Sequence, residues 1–115
     1  MKASIIDTLK RLPGAPTKAY PEGVPFATVM AGGSMRVEVF APGSNSDGRD
    51  RQLPHSQDEL YFVQGGEGEI IINGQRFAAR AGDAFFVAAG VAHHFENFST
   101  DFVTWVVFYG PQGGE

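Results

Sequence analysis

Along this chain the spacing of apolar side chains changes once, near residue 26, from a helical interval to alternation. Within Ser4 to Leu12, the residues Ile5, Ile6, Leu9 and Leu12 recur at intervals near three and four. That spacing predicts a short amphipathic helix stopped by Pro13 and Gly14, with a frayed tail as the alternative. Pro16 to Pro25 reads as an extended connector. From Phe26 onward the period is two, so the rest of the chain is expected to be β-strand.

Phe26 to Met30 forms the first predicted strand, closed by Gly32 and Gly33, and Met35, Val37 and Val39 alternate with Arg36 and Glu38 in a second. Ala41 to Asp50 is rich in Pro, Gly, Ser, Asn and Asp, which marks a surface loop and a candidate lid for a barrel mouth. Glu59 to Val63 and Glu69 to Ile72 are strands, and Asn73-Gly74 is a two-residue hairpin signal leading into Gln75 to Ala79. Gly82-Asp83 is the next turn, followed by short strands at Phe85 to Ala88 and His93 to Asn97. Phe102 to Tyr109 is apolar with little alternation, as expected of a strand covered on both faces, the second cover being another subunit. About eight short strands at close spacing argue for an all-β barrel or sandwich.

Length and composition narrow the reading. A chain of 115 residues fits a single core, divided as an N-terminal segment over 1–25 and a barrel domain over 26–111. The absence of cysteine removes disulfides, zinc–thiolate sites and thiol catalysis, so any metal must be held by nitrogen and oxygen. A formal charge of −4 supplies no basic stripe for a phosphate backbone, which excludes nucleic acid as the expected partner. The expected partner is a small molecule. No stretch is apolar for long enough to span a membrane and the first residues lack the pattern of a signal peptide, so a cytoplasmic location is expected.

The three histidines are His55, His93 and His94. Neighbours on a strand point to opposite faces, so His93 and His94 cannot serve one site equally. Glu59 shares parity with Tyr61 and Val63; if those face inward, it is a buried carboxylate that needs a cation or hydrogen-bond donors. A metal shared with histidine is one answer, and a bond to Arg36 or Arg76 is the other. Four residues of continuous strand would hold His55 and Glu59 roughly 13 Å apart, too far to share an ion. The chain is therefore expected to turn at Ser56-Gln57-Asp58, with His55 ending one strand and Glu59 beginning the next.

At these residues the chain resembles the cupin superfamily, whose small barrels carry two short motifs. Gly82, Gly90, His93 and Asn97 fall at the places of the second motif, with Ala88 replacing its proline. In the first motif His55, Glu59 and Gly66 match, while Leu53 stands where a further histidine is usual. The resemblance covers about Phe26 to Tyr109. It implies a double-stranded β-helix, or jelly-roll, barrel that commonly forms a homodimer, with His55, Glu59 and His93 holding one divalent metal ion. Zinc, iron, manganese and nickel all suit such a ligand set.

Gln57 and His94 are the candidates for completing that site. Tyr61 is the candidate catalytic side chain, orienting substrate or exchanging a proton, and Phe85, Phe95 and Trp105 are candidate apolar walls. Three functions stay open: an enzyme of dioxygenase or isomerase type, a non-catalytic barrel that binds a small ligand, and a scaffold with vestigial histidines.

Overall fold

A computed structural model describes residues 1–45 and 47–115; the predicted loop Ala41 to Asp50 includes Ser46, which lies outside the described residues. Helix α1 (Ile5–Leu9) is followed by eight strands: β1 (Phe26–Gly32), β2 (Met35–Phe40), β3 (Asp58–Gly65), β4 (Glu67–Ile72), β5 (Gln75–Arg80), β6 (Ala84–Val87), β7 (His93–Glu96) and β8 (Val103–Tyr109). Five of them form one antiparallel sheet in the order β1-β2-β8-β3-β6, and the other three a second in the order β5-β4-β7. This is the all-β jelly-roll barrel expected from the sequence. Among the described residues no helix is long and apolar enough to cross a membrane.

Alternation sets the core. In β3 the buried residues are Glu59, Tyr61 and Val63, while Phe62 and Gln64 between them are exposed. Tyr61 meets Phe95 edge-on at 5.1 Å, and Phe95 meets Phe102 at 5.2 Å, so aromatic rings from β3, β7 and the residue just ahead of β8 fill the space between the sheets. Such aromatic pairs contribute about 0.5–1.5 kcal/mol beyond the area they bury. The turn between β4 and β5 has Asn73 at φ +49° and Gly74 at φ +80°, the left-handed pair that matches the twist of a tight hairpin.

The N-terminal segment belongs to the packing. Helix α1 is shorter than the predicted Ser4 to Leu12 because Ser4 is its N-cap, accepting from the backbone N–H of Asp7, and a turn replaces helix after Leu9. Ile5 and Leu12 pack against Val39, Ala41 and Val103 on the outer face of the five-stranded sheet. Part of the apolar cover expected from another subunit thus comes from the same chain. Further along that face, Val37, Val107, Leu60 and Phe86 pair in one row across β2, β8, β3 and β6.

Candidate metal centre

No strand ends at His55, contrary to the sequence expectation. Residues Arg49 to His55 run without regular pairing, and the chain bends at Ser56 and Gln57 before β3 begins at Asp58. Proline at 54 removes a ladder donor, which favours this irregular approach. The bend is pinned at both ends. Gly90 donates its N–H to the carbonyl of His55 at 2.8 Å, and Asp58 Oδ1 accepts from Ala89 N at 2.9 Å. Gly90, at φ +79°, makes the turn that precedes β7, so one small contact sets His55 and His93 relative to each other.

The result is convergence. Glu59 Oε1 lies 3.2 Å from His55 Nδ1 and 2.7 Å from His93 Nε2. One ligand-type atom from each of the three residues falls within 4.8 Å of the others. The imidazole of His93 is fixed by its other nitrogen: Nδ1–H donates to the carbonyl of Val91 at 2.8 Å, which leaves Nε2 facing Glu59. His55 is held by ring contact with Phe108 at 4.8 Å.

Glu59 is 2% exposed, and its Oε2 is buried with no hydrogen-bond partner. Arginine does not satisfy it: Arg36 pairs with Glu38 at 3.0 Å, and Arg76 with Glu69 and Glu96. Burial acts to raise the Glu59 carboxyl, but the hydrogen bonds and charges of His55 and His93 outweigh it and hold the group below its ordinary value. Burial likewise acts to lower His93, and Glu59 overcomes it, so the imidazole is raised. Tyr61 is pushed well above the ordinary phenol range by burial, then by the charge of Glu59.

Two expected contributors are elsewhere. His94 points away and pairs with Glu96 at 2.9 Å, as strand alternation requires. Gln57 donates to the carbonyls of Ser34 and Gly110 at 3.0 and 2.9 Å, which makes it a clasp between loops. Neither completes the cluster. Leu53, in the place of the absent histidine, is 77% exposed at the rim of a cavity.

That cavity, about 400 Å³, is lined by His55 and Tyr61 at the cluster, by Phe26, Phe40, Val106 and Phe108 along the barrel wall, and by Arg36 and Glu38. Thr17, Ala19, Tyr20 and Val24 supply a further wall from the N-terminal segment. None of Phe85, Phe95 and Trp105 lines it: Phe95 is in the core, Phe85 packs against that core, and Trp105 donates to Gln64 at 2.9 Å. Among the described residues of Ala41 to Asp50 none lines it either, so the expected lid is not at this mouth.

Sequence reasoning also passed over Gln52 and Asp50. Tyr61 Oη donates to Gln52 Oε1 at 2.8 Å and lies 3.0 Å from His93 Nε2. Asp50 accepts from the Gln52 side chain at 2.5 Å and from Phe95 N at 2.8 Å. An acidic residue amid loop formers gave no sign of this.

An eight-stranded, two-sheet barrel with two histidines and a carboxylate meeting inside it is the architecture of a small β-barrel class with a candidate metal site. The Cupin domain family model matches residues 36–109. The chain belongs to the cupin family. It is 33% identical over 112 residues to an uncharacterized protein of Streptomyces coelicolor, covering 97% of this chain and 99% of that one. Among solved structures it is similar to KdgF from Halomonas sp., with a TM-score of 0.57, 19% identity and 72% and 74% of the two chains covered. A Cupin 2 conserved barrel domain protein from Salinispora arenicola aligns with a TM-score of 0.58 and 20% identity, over 74% of each chain.

Proposed function

We propose that His55, Glu59 and His93 hold one divalent metal ion, which serves a small molecule with an apolar body and an oxygen-bearing head. The observation that carries this is Glu59: a carboxylate buried between two histidines, with one oxygen left without a partner. Taking a lone carboxylate out of water costs several kcal/mol, and a cation bound by all three groups offsets that cost. The cluster presents two imidazole nitrogens 3.2 and 2.7 Å from one carboxylate oxygen, close enough for one ion to reach them together.

When bound, the ion supplies Lewis-acid polarisation or an oxygen-binding centre, in keeping with dioxygenase- or isomerase-type chemistry. The chain's own residues do the rest. Val91 holds His93 in the tautomer with Nε2 free, and Phe108 holds the His55 ring. The apolar cavity wall would admit the body of the ligand, with Tyr61 at its inner end beside the cluster to orient a ligand oxygen. A non-catalytic sensor barrel is the second reading, favoured by Leu53, because loss of the usual fourth ligand relaxes the metal site.

The test is elemental analysis of protein purified without a metal-affinity column, wild type beside His93→Ala. Near one metal per chain, absent from the variant, supports the site; no metal in either, even after loading with zinc, manganese, iron or nickel, refutes it. Turnover or ligand-raised melting without turnover then divides the two readings.

The same proposal includes a homodimer through the outer face of the larger sheet. The row from Val37 to Phe86 is free of charge, and Met35, Phe62, Phe86 and Tyr109 on the same sheet remain exposed, so a twofold copy would meet like with like.

A further inference from the structure

We propose that Tyr61 Oη is a fourth donor to the cation, presenting a lone pair to the cluster, and that Gln52, locked by Asp50, is the positioning residue that draws its proton away. The role presupposes the metal site proposed above and goes beyond its three residues.

The inference follows from the geometry around Tyr61 Oη. Asp50 is an acceptor in its contacts with Gln52 and β7: Oδ2 receives the Gln52 side-chain N–H at 2.5 Å and Phe95 N–H at 2.8 Å, and Oδ1 receives Gln52 N–H at 3.1 Å. Because the Gln52 NH2 faces this carboxylate, its carbonyl oxygen must face Tyr61; the flipped amide would set oxygen against oxygen. A carbonyl brings no hydrogen to the 2.8 Å contact with Tyr61, so the single phenolic proton lies there. On the other side, His93 Nδ1–H is committed to Val91, so Nε2 is the nitrogen that faces both Tyr61 Oη at 3.0 Å and Glu59 Oε1 at 2.7 Å. A proton on Nε2 bridges these atoms in metal-free protein, and a cation that replaces it meets the Tyr61 oxygen, the Glu59 oxygen and Nε2 together.

Distance agrees. Two donors about 2.1 Å from one ion and at right angles are about 3 Å apart, close to the observed spacing of Tyr61 and His93. Tyr61 is one pleat repeat beyond Glu59 on the same inward face of β3, and Leu53 at the rim offers no donor.

Cobalt(II) alone is the probe, added to metal-free wild type, Tyr61→Phe, Gln52→Leu and His93→Ala, with visible absorption and chelator competition as readouts. Tyr61→Phe is expected to keep cobalt but change its visible spectrum and weaken affinity about 10-fold or more, and Gln52→Leu to weaken it about 10-fold. The near-ultraviolet tyrosine spectrum of the wild type is expected to shift on cobalt addition, a readout that does not depend on any variant folding. Superimposable cobalt spectra and equal affinities in wild type and Tyr61→Phe, with an unmoved tyrosine spectrum, would overturn the role of Tyr61 alone. No cobalt bound by wild type would instead remove the three-residue site, and this role with it.

Discussion

Glu59 Oε1 and His93 Nε2 lie 2.7 Å apart with both side chains essentially sealed from solvent, at 1% and 0% exposure. In metal-free protein the pair has a definite pH signature. Glu59 is held below its ordinary 4.5, so its contribution is present above that value and lost as pH falls through its lower folded pKa. His93 is raised above 6.5, so its contribution is complete below 6.5 and lost as pH rises through its higher folded pKa. Melting temperature measured in chelator, wild type minus Glu59→Gln, should therefore peak between these two ordinary values. A difference independent of pH would show that the two groups are not coupled.

Removing one member is expected to do more harm than removing both. His93→Leu leaves the Glu59 charge buried beside His55 alone and should cost about 3–5 kcal/mol in denaturant melts, whereas the double change to Glu59→Leu and His93→Leu should recover much of that loss.

Two glycines with left-handed backbone should respond unequally to alanine. Gly66, at φ +73°, would place a Cβ 2.6 Å from the backbone N and Cα of Phe102, while Gly82, at φ +95°, has open space. Gly82→Ala is expected to cost about 1 kcal/mol from backbone strain, and Gly66→Ala at least about 3 kcal/mol because β8 must also move. Equal urea midpoints for the two variants would contradict this.

Tyr20 is buried, and its oxygen accepts the backbone N–H of Arg51 at 2.8 Å. Burial chiefly, with Asp50 adding, pushes its phenol up to about 12. Tyr20→Phe leaves that N–H without an acceptor and should cost about 1–3 kcal/mol. Hydrogen exchange at Arg51 and Gln52 should accelerate well ahead of exchange in β4 and β5.

Phe86 is 62% exposed at the end of the charge-free row. Phe86→Lys should convert a dimer to a monomer in light scattering without lowering the monomer's own stability; a monomeric wild type would end the proposed assembly.

The alternation of β3 put Glu59, Tyr61 and Val63 on one face, which the fold turns inward, and the glycines at 66, 82 and 90 marked turns that all have positive φ. Parity showed that His93 and His94 could not both serve one site, and the resemblance to the second motif chose His93. What stayed hidden depends on contacts between distant segments. Gln52 and Asp50 sit in a stretch without period, and only their meeting with Tyr61 and Phe95 gives them meaning. Phe95 and Trp105 resembled cavity walls because an apolar residue in a strand says that it is covered, never by what. Likewise Gln57, polar and near the cluster in sequence, is turned by the bend toward Ser34 and Gly110.

The segment from Thr17 to Val24 lies ahead of the residues that match the family, yet it walls the cavity at His55 and Tyr61. On the function proposed above, the metal ligands all come from the barrel motifs, whereas part of the wall that meets the bound molecule comes from the N-terminal segment. Exchanging the first 25 residues between related barrels would be expected to retune which molecule enters while leaving the ion and its histidines untouched.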